Sequence, residues 1–75
     1  MAKNEKQIIL TYVGRDSWSR PVYIHEGVYW VDVEPRKDHK PMLCTKMHNQ
    51  FDGEPNNHMQ EGIEVIFEPA RDTWD

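Results

Sequence analysis

The sequence predicts an all-β or mainly β domain, a small antiparallel meander, curled sheet or partly open barrel of four to five strands. Three features support this fold class. Short runs of β-branched and aromatic residues alternate with turn-forming residues, and no segment keeps a helical period of apolar residues. The two residues Glu26-Gly27 separate two alternating runs, which is typical of a β-hairpin. A chain of 75 residues is long enough for one domain, covering 1–75.

The first predicted strand runs from Gln7 to Val13 and is followed by Gly14. Apolar side chains fall on both of its faces, so we expect a strand that is either central or covered on both sides. These side chains are Ile8, Leu10 and Tyr12 on one face and Ile9 and Val13 on the other.

Four shorter strands follow the first one. The polar segment 15–20 connects the first strand to the predicted hairpin. Pro21 suits the first position of a strand because it has no N–H group to donate. The four predicted strands span 21–25, 28–33, 41–46 and 63–68.

Two kinds of segment lie outside these strands. Residues 47–60 are polar and rich in turn formers, and a loop of this length in a small domain is either functional or mobile. The two ends of the chain, 1–6 and 70–75, are expected to be flexible.

The composition argues against several classes of function. The net charge of −4 is unfavourable for general binding to nucleic acid, which depends on clustered lysines and arginines. No apolar run approaches the roughly 20 residues of a membrane-spanning helix, so no membrane contact is predicted. The single cysteine, Cys44, cannot form an internal disulfide, which fits a reducing compartment. We therefore expect a cytoplasmic protein.

No constellation of catalytic residues is recognisable. Ser17 and Ser19 do not lie in a G-x-S-x-G turn. Cys44 falls in the middle of a predicted strand rather than at a helix N-terminus, where a thiolate would be favoured. The chain is predicted not to be an enzyme, with no catalytic residue and no cofactor.

A structural metal site is an alternative way to stabilise a small domain. The candidate ligands are His39, Cys44, His48 and His58. Structural zinc sites usually combine two pairs of closely spaced ligands, and here only Cys44 and His48 are close in the chain. The favoured interpretation is a buried cysteine with histidines in solvent, so no metal ligand is assigned. A metal-stabilised domain is kept as an alternative.

Aromatic and arginine side chains are concentrated in the first strand, the loop after it and the hairpin. Such residues dominate protein-binding surfaces because they provide large contact areas at a modest cost in entropy. Alternation places about half of them in the core. Trp18, in the loop, is the one most open to contact with a partner, but a buried position in the core is the favoured interpretation because a tryptophan is usually largely buried. The candidate partner-binding residues are Arg15, Trp18, Arg20, Tyr23 and Tyr29.

Two motifs carry a resemblance to a known group of proteins. They are V-G-R-D-S-W-S-R-P-V-Y at 13–23 and F-D-G-E-P at 51–55. With them the chain resembles small uncharacterised domains from Firmicutes mobile-element and gut-bacterial proteins. The resemblance implies a bacterial origin, an accessory role and a single unit containing both motifs. In such a unit, Arg20 is expected to pair with Asp52 or Glu54 and to pin the long loop.

The leading functional prediction is a non-enzymatic bacterial accessory domain that binds a protein partner through the Trp18 loop and the hairpin. The chain would act as a monomer or as a weak dimer joined through an edge strand. Besides the metal-stabilised domain, a further alternative is an acidic inhibitor of a nucleic-acid enzyme. Its acidic face would contain Glu61, Glu64, Glu68, Asp72 and Asp75.

Overall fold

The computed structural model describes residues 6–74 and confirms the predicted all-β fold class. Six strands form one open sheet. No helix within the described residues has the length and apolar character needed to cross a membrane. The elements are β1 (Lys6–Arg15), β2 (Pro21–His25), β3 (Val28–Asp32), β4 (Leu43–Lys46), a 3₁₀ turn (Met47–Asn49), β5 (Pro55–His58) and β6 (Ile63–Glu68).

The strands lie in the order β5-β4-β3-β2-β1-β6. The first five form an antiparallel meander in which each strand pairs with the next. β6 returns to the opposite side of the sheet and pairs with β1 in parallel, with Ile9 beside Ile66. The expectation of a purely antiparallel sheet is therefore wrong at this pairing. Alternation cannot reveal the direction of a strand, because a half-buried strand has the same period either way.

The additional strand, β5, lies within the segment that the sequence predicts to be a long loop. Three of its four residues are exposed, and it has no apolar alternation. It pairs with β4 through the backbone, with His58 beside Cys44 and Pro55 beside Lys46. Because backbone pairing at a sheet edge needs no side-chain pattern, the sequence contains no clear signal for this strand.

One face of the sheet, which we call the front face, contains the larger aromatic cluster. Leu10, Tyr23 and Leu43 are buried there. The Tyr23 ring centroid lies 5.5 Å from that of Tyr12 and 4.9 Å from that of Phe67. Tilted rings at these separations pack favourably beyond the area that they bury. This cluster joins β1, β2, β4 and β6.

The opposite side, the back face, carries a second apolar cluster. Val22, Val31 and Cys44 are buried, and Tyr29 and Phe51 pack against them. The Tyr29 and Phe51 rings meet edge to face, with their centroids 5.9 Å apart. Phe51 belongs to the segment between the 3₁₀ turn and β5, so the predicted long loop folds back over the middle strands.

The cover over the back face reaches β1 at Gly14, near the Phe51 ring, but leaves Ile9 and Val13 open. Ile9 and Val13 are 48% and 45% exposed, whereas Leu10, on the front face, is fully buried. β1 is central, as its two apolar faces indicate, because it lies between β2 and β6. The other predicted alternative, a strand covered on both faces, does not apply at Ile9 and Val13.

The C-terminal residues 71–74, within the end predicted to be flexible, are hydrogen-bonded to the rest of the fold. Arg71 Nε donates to the buried carboxylate of Asp32 at 3.2 Å. The backbone N–H of Asp72 donates to the Tyr23 hydroxyl at 2.9 Å. The segment therefore packs on the front face. The expected flexibility of 1–5 and of residue 75 concerns positions outside the described residues.

Candidate partner-binding surface

The loop between β1 and β2 is wound around the side chain of Asp16. Its Oδ1 accepts hydrogen bonds from the backbone N–H groups of Trp18 and Arg20, both at 2.9 Å. The Ser19 N–H donates to the Asp16 carbonyl at 2.8 Å, which closes the turn. Aspartate suits this position because its short side chain reaches backbone groups a few residues ahead. The loop is thus held in one conformation by its first residue.

The second oxygen of Asp16 takes part in a buried ion pair. Lys46 Nζ donates to Oδ2 at 2.6 Å, and both side chains are fully buried. Arg20 Nε donates to the same oxygen at 3.1 Å. Burial opposes ionisation of Asp16, but the hydrogen bonds from Lys46 and Arg20 outweigh it and hold the pKa of the carboxyl below its usual value. Asp16 is therefore a charged anchor between the loop and β4.

The residues that follow β4 are fastened to the hairpin by Asn49. Asn49 Oδ1 accepts a hydrogen bond from the Tyr29 N–H at 2.9 Å. Asn49 Nδ2 donates to the Gly27 carbonyl at 2.8 Å. A single amide side chain thus binds a donor and an acceptor of the hairpin backbone, and holds the 3₁₀ turn against it.

The F-D-G-E-P motif fastens the same segment to the Asp16 loop. Asp52 Oδ1 accepts a hydrogen bond from the Ser17 N–H at 2.8 Å. Lys46 Nζ donates to the Gly53 carbonyl at 3.0 Å. A Cβ atom at Gly53 would lie 2.5 Å from the Met47 carbonyl oxygen, so only glycine fits without a shift of the backbone. At Gly53, the backbone of the motif therefore packs closely against the backbone of Met47.

The expected pairing of Arg20 with Asp52 or Glu54 is not formed. Arg20 pairs with Asp16 in its own loop, at 3.1 Å. The long loop is pinned, but the lysine of β4 provides the charge that pins it. The reason is geometric, because the turn around Asp16 brings the Arg20 side chain back to the carboxylate four residues before it.

Sequence reasoning missed Lys46 as a member of this network. A usable signal exists, because alternation along β4 places Lys46 on the same face as Cys44, which is buried. A lysine on a core-facing position is almost never fully buried without a partner. It therefore points to a buried acid, although not to which of the 13 acidic residues provides it.

The Trp18 ring projects from this anchored loop into solvent. It is 65% exposed, the highest value among the exposed large hydrophobic side chains of the described residues. The Arg20 guanidinium carbon lies 5.7 Å from the ring centroid, within the range of a cation–π contact. Trp18 is therefore exposed and does not occupy the buried core position that the sequence favours. One side of the ring rests near Arg20, and much of the rest is accessible.

A second tryptophan, absent from the predicted site, lies next to this loop. Trp74 Nε1 donates to the Ser19 carbonyl at 2.7 Å, and the Trp74 side chain is 50% exposed. Its backbone N–H donates to the Pro35 carbonyl, also at 2.7 Å. We call the resulting region the two-tryptophan surface, and it consists of Arg15, Trp18, Ser19, Arg20 and Trp74.

Arg15 is held at this surface by the C-terminal segment. It donates to both carboxylate oxygens of Asp72, at 2.8 and 3.1 Å, and to the Thr73 carbonyl at 3.0 Å. The Tyr12 hydroxyl also donates to Asp72, at 2.7 Å. The hydrogen bond from Arg15 is the main reason that the pKa of the Asp72 carboxyl lies below its usual value. The Arg15 side chain remains 39% exposed.

The two tyrosines of the predicted site are structural. Tyr23 is 0% exposed, and its burial raises the pKa of the hydroxyl to about 12. It therefore cannot contact a partner. Tyr29 is half-buried and packs edge-on against Phe51. Strand alternation places Tyr23 on the front face and Tyr29 on the back face, and both faces carry a core at these positions.

The candidate metal ligands are only partly brought together. The Cys44 Sγ and His58 Nδ1 atoms are 3.4 Å apart, while His39 lies in the loop before β4 and His48 lies in the 3₁₀ turn. Burial raises the pKa of the Cys44 thiol, which disfavours the thiolate that a metal would need. Among residues 6–74, no group of three or more His, Cys, Asp or Glu side chains is placed to hold a metal ion.

The acidic residues near the end of the chain do not form one cluster of free carboxylates. Glu61, Glu64 and Glu68 are exposed on β6 and on the turn before it. Asp72 is instead bound to Arg15 and Tyr12. Asp75 lies outside the described residues.

No protein-family model, curated protein or solved structure matches the chain. The resemblance carried by the two motifs therefore stays a prediction.

Proposed function

We propose that this chain is a binding domain that contacts a protein partner through the two-tryptophan surface and has no catalytic role of its own. Trp18 carries the proposal. Its ring is 65% exposed, although the backbone on both sides of it is fixed by hydrogen bonds to Asp16. An exposed ring on a fixed loop contributes little to folding, so its placement is better explained by contact with another molecule.

The rigidity of the loop favours binding. A residue that is already held in its bound conformation loses little entropy when a partner arrives. A tryptophan ring then contributes a large contact area, and tryptophan is among the residues most often found at the energetic centre of protein interfaces. The anchoring of the loop by Asp16 and Lys46 therefore supports a recognition role for Trp18.

The neighbouring groups indicate what kind of partner fits. Trp18 and Trp74 offer two partly exposed indole rings. The Arg20 guanidinium lies 5.7 Å from the Trp18 ring centroid, and the Arg15 guanidinium donates to the carbonyl of Thr73, the residue before Trp74. A suitable partner presents an apolar pocket for a ring and a carboxylate or carbonyl group near Arg15. Arginine suits such a contact because its planar group donates in several directions.

The fully buried charges support binding rather than catalysis. Asp16, Asp32 and Lys46 have fully buried side chains, and each is engaged by backbone groups or by a charged partner within the fold. Catalytic groups need access to a substrate and a cleft that adjusts their pKa. These three side chains instead hold loops in place through hydrogen bonds and ion pairs.

The proposal can be tested by capture of a partner followed by a measured affinity. Tagged wild type, Trp18→Ala and Met42→Ala would be exposed to a bacterial lysate, and the recovered protein would be identified by mass spectrometry and purified. Met42 is a matched control, because it is 45% exposed and lies in another loop, before β4. We expect Trp18→Ala to weaken binding by about 30-fold or more and Met42→Ala to have little effect.

The stability of both variants should stay close to that of the wild type, within about 0.5 kcal/mol, because neither side chain is buried. Unfolding in urea checks this. An unchanged affinity of Trp18→Ala for the purified partner would overturn the proposal that this surface binds it.

A further inference from the structure

The back face of β1 and β6 exposes apolar side chains. Ile9, Val13 and Ile66 are 48%, 45% and 38% exposed. Ile9 and Ile66 are direct neighbours in the pairing of the two strands. The segment after β4 packs over the middle strands on this face, and within residues 6–74 nothing covers these three side chains to the extent that Phe51 covers Val22.

Carboxylates flank this apolar stripe. Glu64 and Glu68 lie two residues before and after Ile66, so they project from the same face, and both are exposed. Their neighbours on β1 are Gln7 and Thr11, which carry no charge. The alternating positions of β1 and β6 on this face, from 7 to 13 and from 64 to 68, contain no lysine or arginine. The stripe is therefore apolar in the middle and negative at its sides.

We infer that the back face of β1 and β6 is a docking surface for a positively charged amphipathic helix of a partner protein. Helices commonly pack on the face of a sheet, and an amphipathic helix offers an apolar stripe of side chains spaced three and four residues apart. Lysines or arginines beside that stripe would lie close to Glu64 and Glu68. The net charge of −4 would also steer such a partner toward the domain.

A second copy of this chain is a poorer occupant for the same face. A two-fold interface brings one surface patch against itself. Glu64 and Glu68 of one protomer would then approach the same carboxylates of the other, with no lysine or arginine at the back-face positions of β1 and β6 to neutralise them. Like charges placed opposite each other select against that pairing.

The inference does not depend on the two-tryptophan surface. Trp18 lies in the loop after β1, whereas the apolar stripe lies on the strands themselves. The two surfaces can therefore be removed separately by substitution, and the failure of one proposal leaves the other standing.

Titration with a designed peptide tests the inference directly. The probe is a synthetic helical peptide of about 18 residues, long enough to form a helix on a surface, with leucines on one side and lysines beside them. Its control has glutamates in place of the lysines. We expect the lysine peptide to shift the amide NMR signals of β1 and β6, such as those of Ile9 and Ile66, and the glutamate peptide to leave them unchanged. Binding should weaken as salt is added.

Matched variants separate the surface from the overall charge. Glu68→Lys is expected to weaken binding about tenfold or more, and Ile66→Ser should weaken it too. Asp38→Lys changes the net charge by the same amount, in a loop where the Asp38 side chain is 78% exposed, and should have a much smaller effect. Trp18→Ala should bind the lysine peptide as the wild type does.

Four outcomes would overturn the inference. The first is the absence of binding of the lysine peptide, and the second is equal binding of the two peptides. The third is an equal loss of affinity in Glu68→Lys and Asp38→Lys, which would indicate unspecific attraction between net charges. The fourth is a dimer of the protein alone, detected by sedimentation and removed by Ile66→Ser, which would show that a second copy occupies the face.

Discussion

Two buried aspartates, one after β1 and one at the end of β3, use the same arrangement of hydrogen bonds. In each, Oδ1 accepts from two backbone N–H groups: those of Trp18 and Arg20 for Asp16, and those of Glu34 and Met42 for Asp32. In each, Oδ2 accepts from a cationic side chain, and the aspartate side chain is fully buried. Both aspartates close an irregular loop next to the sheet.

The cation is what distinguishes the two aspartates. Lys46, the partner of Asp16, belongs to β4 and is fully buried. Arg71, the partner of Asp32, belongs to the C-terminal segment, and its side chain is 17% exposed. Arg71 also donates to the carbonyls of Glu34 and His39, at 3.0 and 2.9 Å. The Asp16–Lys46 pair is therefore fully buried, whereas the Asp32–Arg71 pair holds a C-terminal segment that is partly exposed to solvent.

This difference determines what happens when a pair is broken. A buried charge that loses its partner remains in a medium that solvates it poorly, and the penalty is large. Removal of Arg71 instead leaves the Asp32 carboxylate with its two backbone N–H donors, which limits the loss. Breaking the ion pair should thus lower the free energy of unfolding more at Asp16 than at Asp32.

The largest effect is expected from Asp16→Asn. The substitution leaves the Lys46 ammonium buried without its anion, and we expect the free energy of unfolding to fall by about 3–5 kcal/mol. In a domain of this size that is a large part of the total stability. Unfolding in urea, followed by tryptophan fluorescence, measures the change.

The double variant Asp16→Asn/Lys46→Met is the control for this effect. It removes both charges and replaces the lysine by an apolar side chain of similar length, so part of the lost stability should return. A double variant as unstable as the single one would show that the unpaired lysine does not account for the loss.

A smaller effect is expected from Arg71→Met. It removes the bonds to Asp32 and to two backbone carbonyls, but Asp32 keeps its two N–H donors. Hydrogen bonds to a charged group typically contribute about 1.5–3 kcal/mol, and we expect a loss in that range. Amide hydrogen exchange should also become faster in residues 71–74, because the segment is released.

Arg36→Met is the matched control for Arg71→Met. Arg36 forms an ion pair with Glu34 at 3.4 Å, but its side chain is 57% exposed. Its removal should change stability by less than about 1 kcal/mol. Equal losses of stability in the two variants would show that the bond from Arg71 to Asp32 contributes no more than the exposed ion pair of Arg36.

The dependence of stability on pH should distinguish Asp16 from Asp72, the aspartate that pairs with Arg15. The pKa of Asp16 and that of Asp72 are lowered in the fold, so both carboxylates contribute stability above about pH 4, the pKa range of unfolded carboxyls. That contribution is lost as the pH falls through the lower pKa of the folded state. We expect the free energy of unfolding to decrease between about pH 5 and pH 2.

Substitution identifies which carboxylate is responsible for this decrease. Asp16→Asn should make the profile of unfolding free energy against pH distinctly shallower. Asp72→Asn should change the profile less, because the Asp72 side chain is 26% exposed and its charge is screened by solvent. A profile for Asp16→Asn that is as steep as that of the wild type would contradict the assignment.

Much of the sheet could be predicted from the sequence because its signals are local. The Glu26-Gly27 turn and the alternation on either side of it define the hairpin, and Ile63–Glu68 forms a strand over the predicted residues. By contrast, the parallel pairing of β6 with β1 joins segments more than fifty residues apart. Neither alternation nor turn chemistry contains information about such pairings.

The features of the candidate site are likewise either local in sequence or dependent on contacts between distant residues. The polar loop that contains Trp18 is recognisable from the local sequence, although the sequence favours a buried ring. The pairing of Asp16 with Lys46 spans 30 positions, and that of Trp74 with Ser19 spans 55. These contacts exist only after the sheet has formed. The sequence therefore predicts which loop is exposed, but not what holds the loop in place.

The smallest effect is expected from Trp74→Phe, which tests whether the two anchored regions are coupled. The indole N–H of Trp74 donates to the Ser19 carbonyl, so it joins the segment held by Asp32 to the loop held by Asp16. Loss of one partly exposed hydrogen bond should lower stability by about 0.5–1 kcal/mol. In an Arg71→Met background the effect should be smaller still, because a released segment no longer holds the indole against Ser19. If the losses in the free energy of unfolding are instead additive in the double variant, Trp74 is held independently of Asp32. The two anchored regions then do not stabilise each other.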